Sequence, residues 1–143
     1  PEGYEWVEEL KEVIAGNVDF ACDFIEKNLW LVPLAPRDNS YDVLADTHID
    51  QAGAKALSDA ACACWDALLA KDVNAWGKAC TASFKAQTAM FPNMISPHVQ
   101  KAVDEYKDKV KGYKITGAGG GGYLVLINDT PIDEAIQIRI RRK

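Results

Sequence analysis

Near Gly112 the apolar pattern of this sequence changes its period, and that change most restricts the folds open to it. Before Gly112, apolar residues recur every three or four positions. Trp6, Leu10, Val13 and Ile14 form one such stripe and Val18, Cys22, Ile25 and Leu29 a second. Gly16 and Asn17 separate them, so a helical hairpin is expected at the N-terminus. Ala54, Leu57, Ala61, Cys64 and Leu68 mark a helix. Asp72 caps the next, whose apolar face is Val73, Trp76, Cys80 and Phe84. Ser96 and Pro97 open a third, carrying Val99, Val103, Tyr106 and Val110, and Gly112 stops it. All these stripes read as core packing.

After Gly112 the signal is β. Tyr113–Thr116 and Tyr123–Ile127 are short runs of strand formers, and Ile136, Ile138 and Ile140 alternate with Gln137, Arg139 and Arg141. An earlier run, Leu29–Leu34, is a further strand candidate, which Pro33 and Pro36 confine to an edge or end. Residues 36–50 are polar and read as a loop. Helices first and strands later, without βαβ alternation, give an α+β class: helices covering one face of a mostly antiparallel sheet.

Composition removes some functions. A formal charge of −5 and a pI near 5.0 disfavour nucleic acid or an anionic membrane surface as partner. Apolar stretches fall short of the ~20 residues a membrane helix needs. Cys22, Cys62, Cys64 and Cys80 form no C-x-x-C pair and are expected as buried, reduced thiols of a cytoplasmic protein. His48 and His98 have no ligand spacing, so no metal site is expected. Arg139, Arg141, Arg142 and Lys143 could form a phosphate patch, but their alternation better fits a charged face that blunts a sheet edge. The sequence opens on Pro1 without methionine, and it is expected to be a piece of something longer.

Gly117–Gly122 (GAGGGG) puts five glycines in six positions between two strand signals, more than a hairpin turn requires. Glycine costs about 0.5–1 kcal/mol against alanine in ordered structure. Such a run is explained where backbone approaches a ligand closely, or where consecutive N–H groups cradle an anion. No Gly-Lys-Ser/Thr follows, so it is not a Walker A loop. A strand follows where a dinucleotide fingerprint would open a helix.

Lys114–Gly122, KITGAGGGG, resembles the third signature motif of the GHMP kinases, the family of galactokinase, homoserine kinase and mevalonate kinase. Ala67–Asp72 resembles the helix junction of that family, and AIQIRIRRK resembles its closing strand. The resemblance covers about Ala54 to Lys143 and, more loosely, the whole chain. It implies a ferredoxin-like antiparallel sheet covered by helices, with additional N-terminal helices. It further implies that residues 1–143 are the C-terminal domain, lacking the N-terminal domain that carries the P-x-x-x-G-L-G-S-S nucleotide loop. Pro36-Arg37-Asp38 and Pro92-Asn93-Met94 do not lead into such a loop.

By the same resemblance, Thr116, Gly117, Ala118, Gly119, Gly120, Gly121 and Gly122 line the phosphate-transfer cleft. ATP and Mg²⁺ are held mainly by the other domain, which is the expected partner. No residue of this sequence stands out as a catalytic base, and the piece alone is expected to be inactive and to self-associate. Residues 36–50 with the helix carrying Trp65 are similar to the sugar-kinase branch of fucose and heptose-phosphate kinases. That similarity places Arg37 and Gln87 toward a sugar acceptor, beside their plainer readings as a loop arginine and a helix-surface glutamine. The alternative function is a stand-alone ferredoxin-like module that binds a phosphorylated metabolite without catalysis.

Overall fold

The computed structural model describes residues 21–141; the first helical stripe, Trp6 to Ile14, lies outside them, as do Val18, Arg142 and Lys143. Residues 21–28 are helical and run directly into β1, Leu29–Pro33. Residues 34–50 form the expected loop. Helices α1 (Gln51–Leu69), α2 (Val73–Met90) and α3 (Pro97–Tyr106) follow, with one 3-10 turn at Pro92–Met94. Strands β2 (Gly112–Ile115), β3 (Tyr123–Ile127) and β4 (Ile136–Gln137) complete the chain.

Each helix starts where a side chain satisfies an orphan amide. Asp50 accepts from Gly53 N at 2.6 Å, Asp72 from Ala75 N at 2.9 Å, and the Ser96 hydroxyl from Val99 N at 3.3 Å with Pro97 in the first turn. Between α1 and α2 the chain reverses through Lys71, which holds a left-handed φ of 56°. The two helices pack as a hairpin.

The strands form one antiparallel sheet of order β2-β3-β1-β4, with β3 pairing β1 and β2 and β1 pairing β4. The class is therefore α+β with an open antiparallel sheet. The central position of β1 corrects the expectation of an edge strand, yet Pro33 is tolerated for a local reason. Asn128 N bonds Asn28 O and Leu34 N bonds Gly122 O, so the even-numbered residues of β1 face β3. Pro33 therefore turns its missing N–H away from β3, toward the side where β4 stops at the Leu31–Ile136 pair.

The alternating strand 136–140 shrinks to two residues. Opposite Arg139 and beyond, β1 gives way to the helical segment 21–28, so no extended partner remains there. The tail bonds that segment instead: Gln137 Nε2 donates to Glu26 O at 2.9 Å and Ile140 N to Glu26 Oε1 at 2.6 Å. Ile136 is half exposed, although the alternation put it on the buried side.

Successive strand residues face opposite sides, and two cores divide accordingly. Leu124, Leu126, Ile115 and Trp30 join Val99, Val103 and Tyr106 of α3. Ile127 joins Ala67, Trp76 and Cys80 of the α1–α2 hairpin. Helices thus lie on both faces, not on one. Within α1 the packed face is Gly53, Leu57, Ala60, Cys64 and Ala67, while Ala54 and Ala61 are exposed. Of the four thiols, all free, Cys80 is buried, Cys22 and Cys64 are half-buried and Cys62 is exposed, contrary to its expected burial.

Candidate functional site

Residues 116–122 connect β2 to β3 as a wide hairpin, closed at its base by Thr116. Its amide donates to Tyr123 O at 3.0 Å, and its hydroxyl accepts from Tyr123 N at 3.2 Å. Gly117, Gly119, Gly120 and Gly122 have φ of 58°, 74°, 69° and 85°, the left-handed region that any side chain strains. The run therefore answers a backbone requirement at four of its five glycines.

The loop is held down by the chain's own segment 34–41. Arg37 Nε donates to Gly119 O at 2.8 Å, and the Tyr41 hydroxyl donates to Ala118 O at 2.5 Å. The Arg37 guanidinium stands 5.7 Å from the Tyr41 ring centroid. Leu34 N reaches Gly122 O at 2.8 Å, and Gly120 N donates to Met94 O at 3.0 Å. Burial pushes the Tyr41 phenol above its ordinary pKa, with the Arg37 charge opposing.

Close approach is real here, but much of it is to the chain itself. A Cβ on Gly119 would fall 2.8 Å from Met94 and Ile115, one on Gly120 would strike the Tyr41 ring, and one on Gly121 would lie 2.8 Å from Ala35 O. Gly119, Gly120 and Gly121 are buried, whereas Gly117 and Gly122 are exposed and Ala118 half so. Within the described residues, the amides of Gly119 and Gly120 are spent on Thr116 O and Met94 O. Those of Gly117, Ala118, Gly121 and Gly122 donate to no other group there. A Cβ at Gly117 would meet only an Arg37 η-nitrogen, at 3.9 Å. The hairpin thus presents unspent amides and an exposed guanidinium near one another, groups suited to phosphate oxygens.

Beside the loop runs an open groove of about 490 Å³ lined by Asp38, Ser40, Tyr41, Asn93, His98 and Gly120 among others. Asn93 Nδ2 donates to Asp42 O at 3.1 Å and ties the 3-10 turn to the 34–50 loop. The amide of Ser40 donates to Asp38 and holds that carboxyl below its ordinary pKa. Polar groups share this wall with Pro36, Ile95 and Pro97, a mixture that suits a small ligand with hydroxyls to orient.

Gln87 is elsewhere. It sits half-buried on α2, where its Oε1 accepts from Lys114 Nζ at 3.0 Å beside Ser83 Oγ, also at 3.0 Å. Arg37 and the glycine run are brought together, while Gln87 serves the lysine that precedes the run. Sequence reasoning missed Tyr41 and Met94. Neither carries a motif signal, because each acts through a contact made only on folding.

No protein-family model matches the chain. Over 43 residues, 30% of its length, the chain is 46% identical to the L-fucokinase/L-fucose-1-P guanylyltransferase of Bacteroides fragilis. The match spans 4% of that protein's length. This chain is therefore similar, over a short stretch, to part of a protein whose name includes a sugar kinase.

Proposed function

We propose that the chain is the C-terminal part of an ATP-dependent sugar kinase of the GHMP type, its glycine hairpin bordering the transferred phosphate. The supporting observation is the clamped loop, with the unspent amides of Gly117, Ala118 and Gly122 and the exposed Arg37 guanidinium beside them. The short likeness to a protein named for fucokinase supports the sugar class.

Phosphoryl transfer needs positioning and charge stabilisation more than covalent help. Backbone N–H groups meet phosphate oxygens without side-chain bulk, and the Arg37 η-nitrogens add charge-assisted bonds. Gly117 leaves room for that approach. In this reading the 34–50 loop and Asn93 orient the acceptor hydroxyls along the adjoining groove. Among the described residues no three His, Cys, Asp or Glu side chains gather as a metal cage. Mg²⁺, most contacts to ATP and the base are assigned to the preceding domain.

One observation favours a second reading. The loop is preformed by this chain's own residues 34–41 and Met94, so a stand-alone module holding a phosphorylated metabolite could use it unaided. The two separate in an assay of ADP release with Mg-ATP and a panel of free and phosphorylated sugars, mevalonate and homoserine. Under the kinase reading the full-length protein releases ADP with a sugar acceptor and residues 1–143 alone do not. Binding of a sugar phosphate without any acceptor-dependent release would move the assignment to the module.

A further inference from the structure

Cys64 of α1 and Cys80 of α2 face each other across the helical hairpin with their sulfurs 3.9 Å apart, both free. The distance is a contact between thiols, and the two residues lie sixteen positions apart in the chain, bracketing the turn at Lys71. Lys114 points into the same layer from β2. Its ammonium bonds only neutral groups, Ser83 Oγ and Gln87 Oε1; burial holds its pKa below the ordinary value, and a thiolate at Cys80 or Cys64 would oppose that. A packing pair of cysteines has no need of a half-buried ammonium. A thiolate does.

The environment sorts the two sulfurs into different roles. The two sulfurs are in hydrogen-bonding contact, and that bond, with the Lys114 charge behind it, draws the Cys64 thiol down to about 7. Cys80 is pushed well above the ordinary thiol value by that same bond and by burial. Cys64 is half-buried and Cys80 buried, and theirs is the one sulfur–sulfur contact among the described residues. Cys62, two residues away on the exposed face of α1, has no sulfur contact among the described residues and serves as an internal comparison.

We propose that Cys64 and Cys80 are a reversible redox pair, Cys64 the sulfur that reacts with a hydroperoxide and Cys80 the sulfur that resolves it. In the first step the Cys64 thiolate attacks the distal peroxide oxygen. The O–O bond breaks, the alkoxide or hydroxide departs and takes a proton from solvent, and Cys64 becomes a sulfenic acid. Cys80 sulfur then attacks the Cys64 sulfur, giving up its proton as hydroxide leaves, so that water and a disulfide result. A dithiol reductant restores both thiols. The Lys114 ammonium stabilises the attacking thiolate and is a positioning group.

The test uses the chain carrying C22A and C62A, which leaves the pair intact, treated with hydrogen peroxide in slight excess. Expected are loss of the mass of two hydrogens, loss of both titratable thiols, and a covalent link between tryptic peptides 56–71 and 79–85 that dithiothreitol releases. In the wild-type chain, Cys64 should be labelled by a sulfenic-acid trap about ten-fold faster than Cys62, and K114M should reduce that rate about ten-fold and move its pH midpoint upward. Oxygen addition without a link between the two peptides, or oxidation of Cys62 ahead of Cys64, would overturn the proposal.

Discussion

At the scale of single residues, packing and electrostatics overrule composition. Gly112 was expected to stop a helix that carries Val110, but that helix ends at Tyr106 and Gly112 opens β2, where its structural task is different. A Cβ there would fall on the Gly77 carbonyl, and a Cβ on Gly77 would lie 2.8 Å from Gly112 N, so α2 and β2 meet backbone to backbone. An alanine in mid-helix is intrinsically favoured over glycine by about 1 kcal/mol, yet overpacking costs about 1–3 kcal/mol or more. Gly77→Ala is accordingly expected to destabilise the chain by at least about 1 kcal/mol in urea unfolding; a gain in stability would refute the backbone contact. The thiols give a second expectation. With Cys80 and Lys114 lowering its pKa, Cys64 should be alkylated by iodoacetamide with a midpoint about 7, below an ordinary thiol, in the chain carrying C22A and C62A. The sign for stability follows. A folded pKa below the unfolded value means the unfolded chain holds more protons between the two, so this thiol's contribution grows with rising pH above about 7. The opposite shift of Cys80 acts against it at higher pH.

At the scale of elements, caps and strand runs were readable because their signals are local. Asp72, Ser96 and Pro97 stand where the helices begin, and the runs around Ile115 and Leu126 became paired strands. Faces and partners were less readable. The stripe assigned to α1 missed by one residue, since small residues dominate that helix and Ala54 and Ala60 differ only in what packs on them. The isoleucine alternation after residue 135 met a partner strand that begins only at Leu29. The glycine run announced an unusual backbone, but its clamp by Arg37 and Tyr41 spans about eighty positions and leaves no local pattern. Tyr41→Phe removes one hydroxyl bond from that clamp. It should cost about 1 kcal/mol and hasten hydrogen exchange at Gly120, leaving the β1–β3 amides protected. Equal loss of protection in both places would mean that the loop and sheet open together.

At the scale of the whole molecule, a helical hairpin and α3 enclose a four-stranded sheet, and the candidate site sits at one end of the β2–β3 hairpin. No helix among the described residues is long and apolar enough to cross a membrane. Leu44 and Ile49 on the 34–50 loop are each 67% exposed, with Tyr123 and Ile136 also open. If these surfaces normally meet a preceding kinase domain, the chain alone should self-associate in light scattering across a concentration series. A constant monomer would count against that interface. The central claim, that the clamped glycine hairpin faces a transferred phosphate, is tested most directly by acceptor-dependent ADP release from the full-length protein carrying R37Q. The account predicts a fall in kcat on the order of 100-fold, with the thermal midpoint little changed. Unaltered turnover would contradict it.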